Sequence, residues 1–105
     1  MLPAPKAPWV GRWYRGDAAE CKQDPTQNDL DVLIYEADSV TGYEFQCEIT
    51  GSKRSGPAHE LSLSCGEEGV SVKRREIVEL IDDHLKRTVF LNRKPQHNIF
   101  RKCPD

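Results

Sequence analysis

The chain has 105 residues, of which 37% are hydrophobic and 30% charged, and its formal net charge is −2. This length suits one domain, and the hydrophobic content is too high for a disordered chain. The longest apolar runs, such as VLIY, are only a few residues long, so we expect no membrane span.

Charge is distributed unevenly between the two halves of the chain. Residues 1–52 contain four Lys/Arg and nine Asp/Glu, giving −5, whereas residues 53–105 contain eleven and eight, giving +3. The basic residues of the second half form short clusters such as Lys73-Arg74-Arg75, and neighbours on a strand point to opposite faces. Because the whole chain is negative and its aromatic residues fall at core-type positions, we expect solvated basic faces and no nucleic-acid partner.

The chain begins with a proline-rich segment that contains Pro3, Pro5 and Pro8. Proline fixes its own φ and restricts the residue before it, which favours extended backbone. We therefore predict an extended arm over residues 1–10 and a single barrel-like domain over residues 11–105. The start MLPAPKAP lacks the apolar core of a signal peptide, so we expect any export signal to have been removed.

Short segments of strand character follow the arm. The clearest is YEFQCEIT, in which Tyr43, Phe45 and Cys47 alternate with polar residues, as in a half-buried strand. The segments DSVTG, GSKRSGPA, GEEG and NRKPQ are typical of turns and loops. The predicted strands before and after the ambiguous segment 70–81 are 11–15, 31–37, 43–50, 60–65, 84–91 and 97–103.

Segment 70–81, VSVKRREIVELI, fits two structures. As a helix it would place Ile77, Leu80 and Ile81 on one face. As a strand it would form a hairpin with 84–91, and the β-branched residues of both segments favour this alternative. Short connections without βαβ alternation then predict an all-β antiparallel meander of seven or eight strands, with room for one short helix. This meander would close into a small barrel, and a sandwich is the other arrangement that fits.

The four cysteines predict two disulfides. No C-x-x-C pair occurs, and the spacing fits no zinc module, so an even count in a small domain favours an oxidising compartment, either periplasmic or extracellular. A hairpin centred on Gly56 places Cys47 opposite Cys65. Among the three possible connectivities we therefore prefer Cys47–Cys65 together with Cys21–Cys103, which would also secure the chain end.

No pattern typical of a catalytic, metal or cofactor site is found in the sequence. His59, His84 and His97 have no partner histidine at ligand spacing, and the acidic pairs 67–68 and 82–83 fall in predicted turns. The chain also lacks a G-x-S-x-G elbow and a glycine-rich phosphate loop. We therefore expect a protein that is not an enzyme and that needs no metal or cofactor.

The triplet Gly11-Arg12-Trp13, a G-x-W at the start of the first predicted strand, resembles the N-terminal signature of the lipocalin-like (calycin) barrels. In that family the tryptophan plugs the base of the barrel and packs against a basic side chain from the last strand. The resemblance implies that Trp13 is such a plug and that Arg101 is its basic partner. It also implies that the glycine permits a close backbone approach at the barrel floor.

A wider pattern covers most of the chain: G-x-W, then Cys21, YEFQCEI, LSLSCGEEG and a terminal FRKC. It is similar to small exported β-barrel proteins of alphaproteobacteria. In size and layout it resembles small periplasmic barrels of Gram-negative bacteria, which include inhibitors of secreted metalloproteases and of lysozymes. This resemblance implies a binding protein that contacts a partner protein, with the arm residues Leu2, Pro3, Pro5 and Trp9 entering a hydrolase cleft.

Other functions stay open. A lipocalin-like carrier of an apolar ligand would need a cavity of at least ~300 Å³, whereas we expect a filled interior for a chain this short. The residues do not separate a structural envelope protein from an inhibitor. We expect a monomer and leave the identity of the partner open.

Overall fold

The chain folds as a closed barrel of eight antiparallel strands that pair in sequence order, in a computed structural model that describes residues 7–25, 31–43, 45–67 and 69–104. One five-residue 3-10 helix, Ala18–Lys22, lies between the first two strands. The predicted all-β meander that closes into a barrel is thereby confirmed. The strands are β1 (Gly11–Tyr14), β2 (Val32–Tyr35), β3 (Ser39–Gly42), β4 (Phe45–Ser55), β5 (Ala58–Glu67), β6 (Val70–Ile81), β7 (His84–Leu91) and β8 (Lys94–Lys102).

Segment 70–81 is a strand, as favoured, because β6 pairs with β5 from Val70 to Glu79 and with β7 from Glu76 to Ile81. Two segments predicted as turn or loop are also strands. DSVTG contains the short β3, which lies between β2 and β4, and GSKRSGPA extends β4 and β5. In GSKRSGPA the polar and small residues form ladder pairs although most of them are exposed, so hydrophobic alternation is absent. In β3 burial alternates, with Val40 and Gly42 buried, but Val40 is its one hydrophobic side chain.

Two-residue turns explain why these hairpins are longer than predicted. Gly56 adopts a left-handed φ of 61° and leaves Ser55 paired with Ala58. Asn92 and Arg93 adopt φ values of 52° and 68°. A two-residue hairpin turn of type I′ requires positive φ at both of its central residues. As a result β8 begins at Lys94, three residues before the predicted start at residue 97.

The register between β4 and β5 places Cys47 opposite Cys65 and Ile49 opposite Leu63, as predicted. A β-bulge at Thr50 then shifts the pairing by one residue, so that Gly51 lies opposite Ser62. The predicted centre at Gly56 is therefore correct only on the cysteine side of the bulge. The true turn is Gly56-Pro57, and the extra residue in β4 compensates for the difference.

The turns fall at two ends of the barrel because neighbouring strands are antiparallel. We call the end with the turns Gly56-Pro57 and Asp82-Asp83 the base, and the end with the turn Asn92-Arg93 the mouth. The buried core cluster includes two tryptophans near the base, where Trp13 Nε1 donates a hydrogen bond to the Trp9 carbonyl oxygen at 3.0 Å. Two adjacent indoles thus bury a large apolar area beneath the strands.

Both predicted disulfides are present. Cys21 in the 3-10 helix is bonded to Cys103, which follows β8, and Cys47 is bonded to Cys65 across β4 and β5. The Cys103 backbone N–H also donates to the Arg12 carbonyl oxygen at 2.8 Å. The first bridge therefore joins the end of the last strand to the helix that follows the first strand. Among the described residues no helix is long and apolar enough to cross a membrane.

Candidate functional site

An open cavity of about 720 Å³ lies at the mouth of the barrel between β4, β5, β6 and β7. The interior is filled at the base, as expected, but not at the mouth. The reason is that the inward-facing positions include charged side chains as the strands approach the mouth. The apolar part of the lining consists of Phe45, Leu63, Val72, Val89 and Phe90. The charged part consists of Lys73, Arg74, Arg75, Arg87, Arg93 and one acid, Glu76.

The cavity exists because β6 and β7 stop pairing before the mouth. Their register runs from Ile81–His84 to Glu76–Val89, while β6 continues to Val70 paired with β5 alone. On the mouth side of Glu76, the positions of β6 opposite the inward-facing Leu63 and Cys65 are Arg74 and Val72. Long cationic side chains extend their charged ends to water, so they leave the space between the strands unfilled.

The cavity floor contains a buried acid held by two neighbours. The Glu76 residue is 1% exposed, and its Oε1 accepts a hydrogen bond from the Tyr35 hydroxyl. Its Oε2 accepts from Arg87 at two nitrogens, Nε at 3.1 Å and NH2 at 2.9 Å. A buried carboxylate is tolerated only when it is paired and hydrogen-bonded, and here both oxygens are satisfied.

Burial raises the pKa of Tyr35 well above its usual value of 10, and the adjacent Glu76 charge raises it further, while Arg87 acts in the opposite direction. For Arg87, burial alone would lower the pKa, but the Glu76 charge raises it and the net shift is upward. Tyr35 is therefore a neutral donor and Arg87 a permanent cation, so the Arg87 charge is matched by Glu76 inside the barrel.

Sequence reasoning missed this cluster. Strand alternation assigns a charged residue to the solvent face by default, so Glu76 and Arg87 look like surface residues. A signal does exist, since Glu76 lies two residues from Val78, and Arg87 two residues from Leu85, which places each charge on the inward face. That signal can be interpreted only when the registers of β6 and β7 are known.

Phe45 separates this cavity from a second, smaller one of about 290 Å³, because Phe45 and Arg87 line both. The Arg87 guanidinium lies 5.5 Å from the centre of the Phe45 ring. On the far side, Arg15 forms an ion pair with Asp31 at 3.1 Å and donates a hydrogen bond to Asn98. The mouth thus has a large, mainly apolar and basic chamber beside a small polar one.

No family model, curated protein or solved structure matches this chain.

The predicted pair of Trp13 and Arg101 is not brought together. Trp13 is buried and lies opposite Lys102 in the register, whereas Arg101 lies opposite Tyr14 and is exposed. Residues opposite each other share a face and the next residue faces the other way, so Arg101 lies on the face away from Trp13. Gly11 has a φ of 148°, which favours glycine, and an added Cβ would have only ordinary contacts with Trp13 and Lys102.

The predicted partner-binding arm is only partly within the described residues. Leu2, Pro3 and Pro5 lie outside them. Trp9 is 5% exposed and packs edge-on against His59, with 5.2 Å between ring centres. Ala7 and Val10 pack against the same core. Trp9 therefore belongs to the base of the barrel and is not available on a free arm.

The three histidines lie apart from one another. His59 contacts Trp9, His84 Nδ1 lies 3.0 Å from an Asp83 oxygen, and His97 Nδ1 lies 2.8 Å from the Thr88 hydroxyl. Within the described ranges, no group of three His, Cys, Asp or Glu side chains has the arrangement of a metal site. These contacts are consistent with structural roles for the histidines.

Proposed function

We propose that this protein is a non-enzymatic binding protein that holds a small, partly apolar ligand in the cavity at the mouth of its barrel. The observation that carries the proposal is the cavity itself. Its volume of about 720 Å³ falls within the range of about 300–1,000 Å³ that is usual for small-molecule sites, and Phe45, Leu63 and Val89 contribute apolar wall. A carrier of an apolar ligand is one of the functions that the sequence left open.

The scaffold around the cavity supports the proposal. The Cys47–Cys65 disulfide joins two of the strands whose residues line the cavity, and the tryptophan-filled base anchors the other ends of the strands. A wall held in place before binding loses less conformational entropy when a ligand enters. The two disulfides are consistent with an oxidising compartment, and we propose that the protein acts in the periplasm or outside the cell.

The hydrolase-inhibitor hypothesis stays a prediction. Its arm residues Leu2, Pro3 and Pro5 lie outside the described residues, and Trp9 is buried in the core. No contact in the described part of the chain favours it over a ligand-binding role.

The proposal is tested by isothermal titration with octanoate, decanoate and dodecanoate below their micelle concentrations. Burying one CH₂ contributes about 0.8 kcal/mol, so each added CH₂ tightens the dissociation constant by up to about fourfold while the chain still fits the cavity. Native mass spectrometry of the purified protein is the parallel measurement, and we expect one ligand per chain. A series without any dependence on chain length contradicts the proposal.

A matched pair of variants locates the binding site. Val72→Trp places an indole in the cavity lining, whereas Val70→Trp makes the same change two residues away at a position that is 63% exposed and does not line the cavity. We expect Val72→Trp to abolish decanoate binding and Val70→Trp to retain it. Equal affinities in the two variants would show that the ligand binds elsewhere. Circular dichroism and thermal unfolding of both variants check that the barrel is intact.

A further inference from the structure

The mouth half of β6 has one side without a strand partner. Among the described residues, β6 pairs with β5 alone on the mouth side of Glu76. Ile81 and His84 flank a two-residue turn, so they share a backbone hydrogen bond. Because the bonding direction alternates along an antiparallel strand, every second residue back from Ile81 directs its backbone N–H and C=O toward β7. Ser71 and Lys73 belong to this set and lie beyond the last pair with β7, and we call their backbone groups the open edge of β6.

The open edge borders the cavity. Five consecutive residues of β6, 72–76, line it, although alternate residues of a strand face opposite sides of the sheet. A lining drawn from both faces indicates that the side of the strand itself forms the wall. Val72 faces inward opposite the buried Cys65, and Lys73 faces outward opposite Ser64. Backbone donors and acceptors therefore lie beside an apolar pocket along β6.

Lys73 gives this edge its charge. Its side chain is exposed and, within the described part of the chain, forms no ion pair. The next outward-facing cation, Arg75, is engaged, because it pairs with Glu60 at 3.5 Å and lies 4.4 Å from the centre of the Phe90 ring. A residue directly opposite Lys73 on an added strand would share its face, and an opposite charge there stabilises the pair. The edge therefore favours a strand with an acidic residue at that position.

We propose that an extended segment of a partner protein pairs with the open edge of β6 in the antiparallel direction, with an acidic side chain opposite Lys73 and apolar side chains on either side of it. Alternation along the added strand directs those apolar side chains inward beside Val72, into the cavity. Backbone hydrogen bonds to Ser71 and Lys73 supply affinity, and the pocket selects the side chains. The inference goes beyond the proposed function, since it adds a protein partner that uses the same cavity.

The charge of Lys73 also argues against two other occupants from this chain itself. When two copies pair about a twofold axis through the middle of the open edge, their Lys73 side chains lie opposite each other, and like charges in that position are destabilising. The N-terminal segment supplies no acidic residue, and Pro3 and Pro5 have no backbone N–H to donate. A segment of a different protein is therefore the occupant that the edge suits.

The edge of β8 differs from that of β6. In the described part of the chain, β8 pairs with β1 only at Arg101 and Lys102. Leu91 and Lys94 flank a two-residue turn, so the alternation directs Pro95 toward the β1 side, where proline offers no donor. Proline is a common block to strand pairing at an edge, and residues 70–75 of β6 contain none.

The test is a two-dimensional NMR titration with the capped peptide Thr-Val-Glu-Val-Thr. We expect the amide signals of Ser71 and Lys73 to shift and their hydrogen exchange to slow, because each residue gains a backbone partner. The Val72 amide is the internal control, since it is directed at β5 and is protected with and without the peptide. Absence of binding, or unchanged exchange at Ser71 and Lys73 in the complex, would overturn the proposal.

Two N-methylated peptides separate strand pairing from simple burial of the valines. Methylation of the glutamate nitrogen removes the donor that is directed at Lys73, whereas methylation of the next valine nitrogen alters a donor that is directed away from β6. We expect the first peptide to bind about fivefold more weakly than the parent, which corresponds to one hydrogen bond, and the second to bind like the parent. Equal affinities of the two methylated peptides would contradict strand addition.

Two variants with the same change of charge locate the acidic residue. Lys73→Glu should weaken binding of the glutamate peptide about threefold and strengthen binding of Thr-Val-Lys-Val-Thr by a similar factor, because the cross-strand charge pair is reversed. Arg101→Glu, at an exposed position on β8, should change neither affinity. The same response in both variants would show that the peptide senses only the net charge, and it would overturn the assignment to Lys73.

Decanoate binding, measured on the same protein, separates this inference from the proposed function. If decanoate binds and the peptide does not, the inference fails while the proposed function stands. If the peptide binds with the expected pattern and decanoate does not, the proposed function fails while the inference stands.

Discussion

The base and the mouth of the barrel are built on the same strands, but the base is a packed core and the mouth holds a cavity. Toward the base, inward positions hold Val78, Leu85 and Phe100, all buried. Toward the mouth, the corresponding strands present Arg74 and Arg87 to a cavity. One ladder of backbone hydrogen bonds can therefore support both a packed core and an open site, and the choice depends on which side chains occupy the inward positions.

The boundary between the two regions lies at Glu76. On its base side β6 pairs with both neighbours, and on its mouth side it pairs with β5 alone. Here the inward residues change from apolar to charged, and the first charge is neutralised by Arg87 and hydrogen-bonded by Tyr35. The buried cluster of Glu76, Arg87 and Tyr35 therefore closes the core from above and forms the floor of the cavity.

The largest expected effect on the free energy of unfolding comes from removing the disulfides, and it differs between the two. Replacing Cys21 and Cys103 by serine opens a loop with a sequence separation of 82, and replacing Cys47 and Cys65 opens one of 18. On the chain-entropy model these cost about 4.5 and about 3 kcal/mol of unfolding free energy. Urea unfolding of both double variants measures the difference. A greater loss of unfolding free energy in the variant without Cys47 and Cys65 would contradict the prediction that the Cys21–Cys103 disulfide contributes more to stability.

The next effect compares side chains in the two regions. Trp13→Ala at the base should lower the free energy of unfolding by about 3–5 kcal/mol, since it removes a buried indole from the core. Val72→Ala at the mouth should cost about 1 kcal/mol or less, because that side chain lines an open cavity. Urea unfolding checks both values. Similar losses at the two sites would show that the mouth is packed like the base.

Much of the fold could be predicted from the sequence, because strand alternation and the cysteine positions are clear in it. Phe45, Cys47 and Ile49 alternate cleanly with polar neighbours, and Cys47 meets Cys65 across one hairpin. The strand β3 was missed because Ser39–Gly42 is short and rich in turn-type residues. The outer hairpin around Gly56 was missed because both of its faces meet water, so no hydrophobic period marks it.

The candidate site was harder to predict than the fold. Glu76 and Arg87 form a pair only because β6 and β7 are in a particular register and turn both side chains inward. The assignment of Arg101 to Trp13 failed by a single residue, which on a strand reverses the face. Arg93 contributes to the cavity through a turn conformation that no periodicity reveals.

A smaller stability effect than those of the disulfides and of Trp13 concerns the boundary itself. Tyr35→Phe removes the hydroxyl that donates to Glu76, and a hydrogen bond to a charged group contributes about 1.5–3 kcal/mol, so we expect a loss of that size at neutral pH. Guanidinium unfolding measures it. A loss near zero would mean that the floor cluster does not depend on Tyr35.

The same variant has a pH signature. Because the pKa of Tyr35 is higher in the folded protein than its value of about 10 when unfolded, its contribution is complete below pH 10 and is lost as the pH rises through the folded value. Stability of the wild type should therefore fall more steeply above pH 10 than that of Tyr35→Phe. Ultraviolet absorbance should show one late tyrosine ionisation that the variant lacks. Parallel stability curves for the two proteins would contradict the assignment.

The most direct test of the division between base and mouth is a methyl NMR titration of the protein with decanoate. We expect the methyl signals of Leu63, Val72 and Val89 to shift as the ligand is added, while those of Val78 and Leu85 near the base stay in place. Shifts confined to Val78 and Leu85, or no shift at any of these methyl groups when binding is detected, would contradict the division between base and mouth.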